Sequence, residues 1–358
     1  MQDRTDCRFY LFRRLPTGAA PASPCGKAGK NSAVLHESTA ATMPLPPAPA
    51  TPAHAHDENR TLGQSLGVRI VTLLGVILPV LGLGAAIALM WGWGFSWVHL
   101  GLMIGMYLVT AFGVTIGYHR LFTHRSFETT RPMKFLFAVM GSMAVEGPVL
   151  KWVAMHRRHH QHSDGTDDPH SPHHRGEGLR GLVAGAWHAH VGWVFDRDPD
   201  DLLRYVGDLA PDRVLRSVSR TWMLWSAFGL LLPAALGGLL TGSWTGALLG
   251  FIWGGLARVF LVHHVTWSIN SVCHLWGSRP FRSHDESRNN PVFGFIGLGE
   301  GWHNNHHAFP TSARHGLRWW EFDASYWVIR GLEVVGLAWK VKVPATDVVE
   351  ARKRMSAA

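Results

Sequence analysis

The sequence predicts an all-α fold: a polytopic membrane protein with four transmembrane helices and a helical cap on one side. Three observations carry that prediction. Residues 70–119 contain no Asp, Glu, Lys or Arg, and neither do residues 221–257. Both runs far exceed the roughly 20 residues of one helical crossing. Charged residues make up only 16% of the chain against 47% apolar ones, with 17 Trp and 39 Gly; aromatics anchor at bilayer interfaces, and Gly is tolerated in spanning helices. Most of the Lys and Arg fall in two polar stretches, 120–220 and the tail from 268, rather than in one basic patch. The net charge of +9 therefore reads as a topology signal, and no nucleic-acid partner is expected.

In chain order, residues 1–60 form a disordered N-terminal arm, rich in Ala and Pro and without the hydrophobic period needed to bury a core. No apolar segment with a small-residue cleavage site occurs in it, so no signal peptide is expected. The first charge-free run is divided by the turn-like WGWGFSW stretch into spans 70–91 and 96–118. The second is broken at Thr241-Gly242-Ser243-Trp244 into spans 221–240 and 244–265. Segments in hydrocarbon must satisfy their backbone polar groups internally, so all four are helices. Both hairpin turns are short and uncharged. The positive-inside rule then puts the two termini and the central segment in the cytoplasm, at a bacterial-type inner (plasma) membrane. Residues 132–145 are apolar, too short to span, and contain Lys134; they predict a helix lying along the cytoplasmic face. One domain, 61–345, precedes a short tail, 346–358. The cysteines, Cys7, Cys25 and Cys273, form neither a disulfide framework nor a metal-binding pair.

Histidine is the informative residue type, with 23 copies. Where the second span leaves the membrane stands HRLFTH, with His119 and His124 at its ends. HRRHH follows, with His156, His159 and His160, and near the C-terminus HNNHH supplies His303, His306 and His307. Spacing i, i+3, i+4 gathers three imidazoles on one side of a helix. Eight imidazoles packed beside a bilayer would be poorly satisfied, and would repel if protonated, unless cations organise them as neutral ligands. Eight ligands exceed what one ion takes, so two ions are implied. Imidazole suits iron, copper, zinc and nickel alike and does not choose among them. His99 reads as an interfacial packing residue, and His36, His54 and His56 as incidental residues of the arm.

HRLFTH, HRRHH and EGWHNNHHAFP resemble the three histidine boxes of the membrane fatty-acyl desaturases of the stearoyl-CoA (acyl-CoA delta-9) type. The HxxxxH spacing of the first box differs from the HxxxH typical of membrane hydroxylases and alkane monooxygenases. NSVCH, from Asn270 to His274, is similar to the family's NSxxH motif, and DDPH (167–170), HVGW (190–193), GEG (299–301) and GLAW (336–339) also fit. The match runs from about 70 to 340. It implies that the cap holds a di-iron site. Its ligands would be His119, His124, His156, His159, His160, His274, His303, His306 and His307, with Asn270 reaching a metal through water and no catalytic residue beyond the metal site. His263 and His264 have no role in that pattern. His170 reads as an outer partner of a ligand, and His162, His173 and His174 as solvated. Asp164 and Asp168 suit the orienting of ligand imidazoles through their second N–H, or else the capping of turns. The resemblance also implies an acyl tunnel past Trp152, Thr266 and Trp267, though interfacial aromatic packing accounts for these residues nearly as well.

Abstracting hydrogen from an unactivated methylene is beyond side-chain acid–base chemistry and calls for O₂ activated at a cofactor. The resemblance implies two Fe(II) ions, O₂ as co-substrate, and a cis double bond introduced near the middle (delta-9) of a C16–C18 saturated fatty-acyl thioester, acyl-CoA foremost. No GxGxxG, CxxC or HPGG motif supplies electrons within the chain. A separate donor (ferredoxin, rubredoxin or a cytochrome) with its reductase is therefore expected, and a basic face suits an acidic carrier. One departure bears on the head group. After HVGW the acyl-CoA enzymes tend to carry adjacent basic residues, whereas Arg197 here is flanked by Asp196 and Asp198. Acyl-lipid and acyl-carrier-protein substrates stay open, as does a membrane di-iron hydroxylase built on the same core. A metal transporter would place ionisable residues inside the spans, which here hold almost none besides Arg258.

Overall fold

The computed structural model describes residues 66–90, 92 and 94–357; the expected N-terminal arm, 1–60, lies outside them. Among the described residues four helices are long and apolar enough to cross a membrane. The first is α1 (Leu66–Leu89). The second opens as α2 (Trp97–Phe112), where the Ser96 hydroxyl accepts from the Val98 N–H, and continues unbroken as a π-helix, Gly113–Thr123. Four helices of the cap follow: α3 (Arg131–Ser142), α4 (Val149–His162), α5 (Gly178–His190) and α6 (Arg213–Arg220). The third span is α7 (Trp222–Thr241), and the fourth runs through α8 (Trp244–Gly250), a π-helical stretch Phe251–Ala257, and α9 (Arg258–Leu275). The chain ends in α10 (Pro291–Ile296), α11 (His303–Ala308), α12 (Ala324–Val334) and α13 (Thr346–Ala357). Strands β1 (Glu128–Thr129) and β2 (Ala338–Trp339) pair antiparallel and tie the chain after the first histidine box to the C-terminal region.

The spans expected at 96–118 and 244–265 belong to longer helices, Trp97–Thr123 and Trp244–Leu275, of 27 and 32 residues. At 1.5 Å per residue these extend about 40 and 48 Å, against about 30 Å of hydrocarbon. Their last turns therefore leave the lipid as rigid rods and enter the cap. Hydropathy ends where polar residues return, whereas the helix ends where its backbone bonding does. The helix expected over 132–145 is α3, ending at Ser142.

Large apolar side chains of α1, among them Leu73, Leu74, Ile77 and Leu78, point outward, as lipid-facing residues do. The third and fourth spans meet through small residues. A Cβ on Gly250 would fall 2.2 Å from the Pro233 carbonyl oxygen, so only glycine allows that approach. Arg258 is fully buried and donates to three carbonyls, Gly254 O at 3.1 Å, Met143 O at 2.8 Å and Gly229 O at 2.6 Å. It thereby joins the fourth span to the third and to the chain just after α3. The cap has its own apolar core, in which Ile116, Tyr118, Phe127, Phe137, Val149, Val153, Leu215 and Ile329 pack together. α13 buries Val349 against Phe281 and Ala308, over the helix that carries the third box.

Candidate metal centre

Each histidine box reaches the cap on a different element. His119 lies in the π-helical end of the second span and His124 just past it; His156, His159 and His160 lie on α4; His274 lies in the last turn of α9; and His303, His306 and His307 lie on α11. Their donor nitrogens form two groups, each with all atoms within 4.8 Å: His119, His124, His156, His160 and His306 in one, and His159, His274, His303 and His307 in the other. The i, i+4 pairs His156–His160 and His303–His307 stay together, whereas the i+3 residues, His159 and His306, turn to the opposite group. Each HxxHH helix thus serves both positions. That division was not legible in the spacing.

The nitrogens that converge are Nε2 atoms. His306 Nε2 lies 3.0 Å from His119 Nε2 and 2.9 Å from His160 Nε2, which is 3.1 Å from His156 Nε2; His274 Nε2 and His303 Nε2 are 3.0 Å apart. Four of the rings have Nδ1 against a carboxylate: His119 on Glu300 at 2.5 Å, His159 on Asp168 at 3.0 Å, His274 on Asp164 at 2.8 Å and His307 on Asp285 at 2.5 Å. A proton held at Nδ1 by its carboxylate leaves a lone pair at Nε2. Lone pairs from several rings then meet in a buried space. The Nε2 atoms of His124, His159 and His307 are buried and have no hydrogen-bond partner among the described residues. Burial first, and neighbouring imidazoles second, hold His124, His156, His160, His303 and His306 well below the ordinary histidine pKa, so these rings are neutral ligands in waiting. The arrangement fits two metal ions bound by imidazole.

Outer residues complete the frame. Burial alone would raise Asp164, but His274 holds it down at about 2. The His170 ring lies 4.4 Å from that of His159, tilted by 33°, and its backbone N–H donates to Asp168; burial brings the ring's pKa down to about 3. His174 is exposed and reaches the Asp164 carbonyl at 2.6 Å, His173 lies 3.6 Å from the Asp164 carboxylate, and His162 meets Tyr205 at 3.3 Å. His263 bonds Ala144 O at 3.0 Å and His264 pairs with His190 at 2.8 Å. His99 bridges Ser96 and Gly246 O.

Four polar residues of this frame carry no signal in the sequence: Arg120, Asp285, His315 and Asp323. Arg120 is completely buried and joins Glu300 (2.8 Å), Asp323 (3.1 Å) and the His315 ring (3.0 Å). His315 lies 4.5 Å, ring to ring, from His306. Asp285 sits in an irregular loop far in sequence from His307 and carries no spacing signal. Arg120 lies inside the first box and was passed over as part of the basic segment.

An apolar cavity runs from Tyr107, Ala111 and Val262 on the spans to His119, His156 and His303, passing Trp152, Thr266 and Asn270. Trp152 and Thr266 each donate to Glu146, at 2.8 Å. Trp267 does not line this cavity. One residue along a helix turns about 100°, and Trp267 packs beside His263 and His190 instead.

The family model for fatty acid desaturases matches residues 95–335. The chain is 44% identical over 283 residues to the hex-5-enoyl-[acyl-carrier protein] acetylenase of Moorena producens (strain JHB), covering 78% of this chain and 88% of that one. It is 38% identical over 253 residues to the sn-1 stearoyl-lipid 9-desaturase of Anabaena variabilis (70% and 86%). To the acyl-CoA C20 Delta5-desaturase of Anemone leveillei it is 38% identical over 256 residues (70% and 76%).

Proposed function

The chain belongs to the fatty acid desaturase family, and from that premise we propose that it introduces a cis double bond near the middle, at delta-9, of a C16–C18 saturated acyl chain. The nine histidines are its iron ligands in this reading. The observation that carries it is the meeting of two imidazole groups with the end of one apolar cavity. Iron held by those Nε2 atoms would supply, with O₂ and two external electrons, the oxidising power that an unactivated methylene requires. The chain's own residues do the rest. Tyr107, Ala111, Val114, Val262, Val265 and Ile269 give the hydrocarbon an apolar sleeve that excludes water. Trp152 and Thr266, fixed through Glu146, narrow it beside His156. Asn270 lines the same wall as His303 and suits a water-mediated contact to the second metal position. Expected partners are a separate iron–sulfur or cytochrome donor and the bilayer, with the cap and both termini in the cytoplasm.

The carrier of the acyl chain is read from the cap surface beside Trp193. There Lys151 pairs with Asp198 (2.7 Å), Arg158 with Asp201 (2.6 Å) and Arg197 with Asp200 (2.8 Å). A surface whose cations are already matched by acids is a poor receptor for the phosphates of CoA, which favours a lipid ester. The three relatives act on three different carriers by their names, so they do not decide it. The test is expression in an unsaturated-fatty-acid auxotroph with a reductase system supplied, followed by lipid analysis. A new cis monoene is expected, first in intact lipid, and lost in His160→Ala. An added hydroxyl in place of the double bond would favour the hydroxylase reading. Label appearing first in acyl-CoA or acyl-carrier-protein pools would overturn the lipid assignment.

A further inference from the structure

The two histidine groups differ in the charge that surrounds them. In the four-histidine group three of the rings have a carboxylate on Nδ1: His159 on Asp168, His274 on Asp164 and His307 on Asp285. Among the described residues no guanidinium pairs with these carboxylates; Arg279 reaches only the Asp285 backbone carbonyl, and the carboxylates' other partners are backbone N–H groups, hydroxyls and imidazoles. Asp168 accepts from the N–H of Asp164 and His170, Asp164 from the N–H of Glu286, and Asp285 from Ser287. In the five-histidine group one ring, His119, has a carboxylate, Glu300, and the buried Arg120 sits on that carboxylate at 2.8 Å. A second guanidinium, Arg157, follows His156 directly and donates to the carbonyls of Thr123 and Phe122 beside His124, with Asp208 as its counter-ion at 2.6 Å.

Imidazole ligands are neutral, so they leave the full charge of a bound cation uncompensated. Taking a divalent ion into a low-dielectric interior carries a large desolvation penalty, and fixed acids just outside the ligand shell are then the main source of compensation. A carboxylate pulling on Nδ1–H also raises the basicity of Nε2 toward the metal. Both effects favour the metal in the four-histidine group, and both favour its higher oxidation state there. The fifth imidazole of the other group works in the opposite direction, but as a neutral donor it adds no charge.

Resting on the reading of these groups as a metal pair, we infer that the two positions are unequal, with Asp164, Asp168 and Asp285 making the four-histidine position the tighter and lower-potential one. These acids are positioning residues that act through His274, His159 and His307. The five-histidine position is the one that empties first and is reduced first.

The test is stepwise anaerobic loading of the purified, metal-free full-length protein with Co(II), followed by optical absorption and metal analysis. Iron-57 loaded at one equivalent, read by Mössbauer spectroscopy, gives a second view. Wild type is expected to fill in two steps. The first should give the spectrum of an ion held by four imidazoles and the water expected beside Asn270, and the second that of an ion held by five imidazoles. Asp285→Asn should weaken the first step by about 10–100-fold and merge the two. Glu300→Gln should leave the first step in place and weaken only the second, and His124→Ala should do the same more severely. Two equal steps in wild type, or loss of the first step in Glu300→Gln, overturn the inference. Asp285→Asn and Glu300→Gln act on opposite steps, so if one variant fails to fold the other still decides the order of filling. Failure to bind two ions at all would instead overturn the metal-pair reading.

Discussion

Glu146 accepts from Trp152 on one wall of the apolar cavity and from Thr266 on the other. Burial lifts its carboxyl from 4.5 to about 7, only partly opposed by those two bonds. The folded protein therefore keeps a proton on Glu146 between pH 4.5 and 7, where an unfolded chain has released it. This group's contribution to stability is complete below pH 4.5 and is lost as the pH rises through 7. Glu146→Gln can still accept from Trp152 and donate to the Thr266 hydroxyl, but it cannot ionise. Its thermal midpoint should fall less between pH 5 and pH 8 than that of wild type, and parallel profiles would show that the wild-type carboxyl does not titrate there. At this scale the candidate ligands were legible in the sequence, because HxxHH and HxxxxH are periodic. Asp285, Arg120 and His315 were silent, because an acid in a loop or an arginine in a basic stretch has no pattern until the chain folds around it.

The helices position the site by overrunning the bilayer, and the second does so as a π-helix against α3. A Cβ on Gly113 would fall 2.2 Å from the Gly141 nitrogen and 2.3 Å from the Met140 carbonyl carbon. Backbone on both sides leaves no flexible atom to yield. Gly113→Val is expected to cost about 1–3 kcal/mol or more by overpacking. It should also reduce bound metal, since His119 lies on the same rod two turns on. Gly105, in the same span with nothing within 4 Å of its added Cβ, is the control, and Gly105→Ala should keep both midpoint and metal. Equal loss in both variants would mean that the close approach to α3 is unimportant. That the spans are helices followed from charge-free length. That two of them continue into the cap, and do so through π-helical stretches, depends on tertiary neighbours that hydropathy does not register.

For the whole molecule, the proposed topology puts the cap and its histidines on one side and the two short turns on the other. With Cys7 and Cys25 replaced by Ser and the buried Cys273 left in place, a cysteine at Gly242 should react with a membrane-impermeant reagent from outside intact cells. One at Gln161, exposed on the cap, should react only after the cells are opened. Labelling of both from one side would break the topology.

The amino-acid order by itself determined four hydrophobic rods and three histidine clusters, because both are matters of local composition and period. It also assigned the family, since those clusters and the NSVCH motif are specific. Tertiary structure alone decided how nine imidazoles divide between two positions, which acids stand behind which rings, and that Trp152 and Thr266 border the cavity while Trp267 does not. The reason is the same in each case. Helical period fixes which residues share a face, but which neighbour that face meets depends on how loops and other segments pack against it, from Asp168 nine residues beyond His159 to Asp164 set against His274 on another helix.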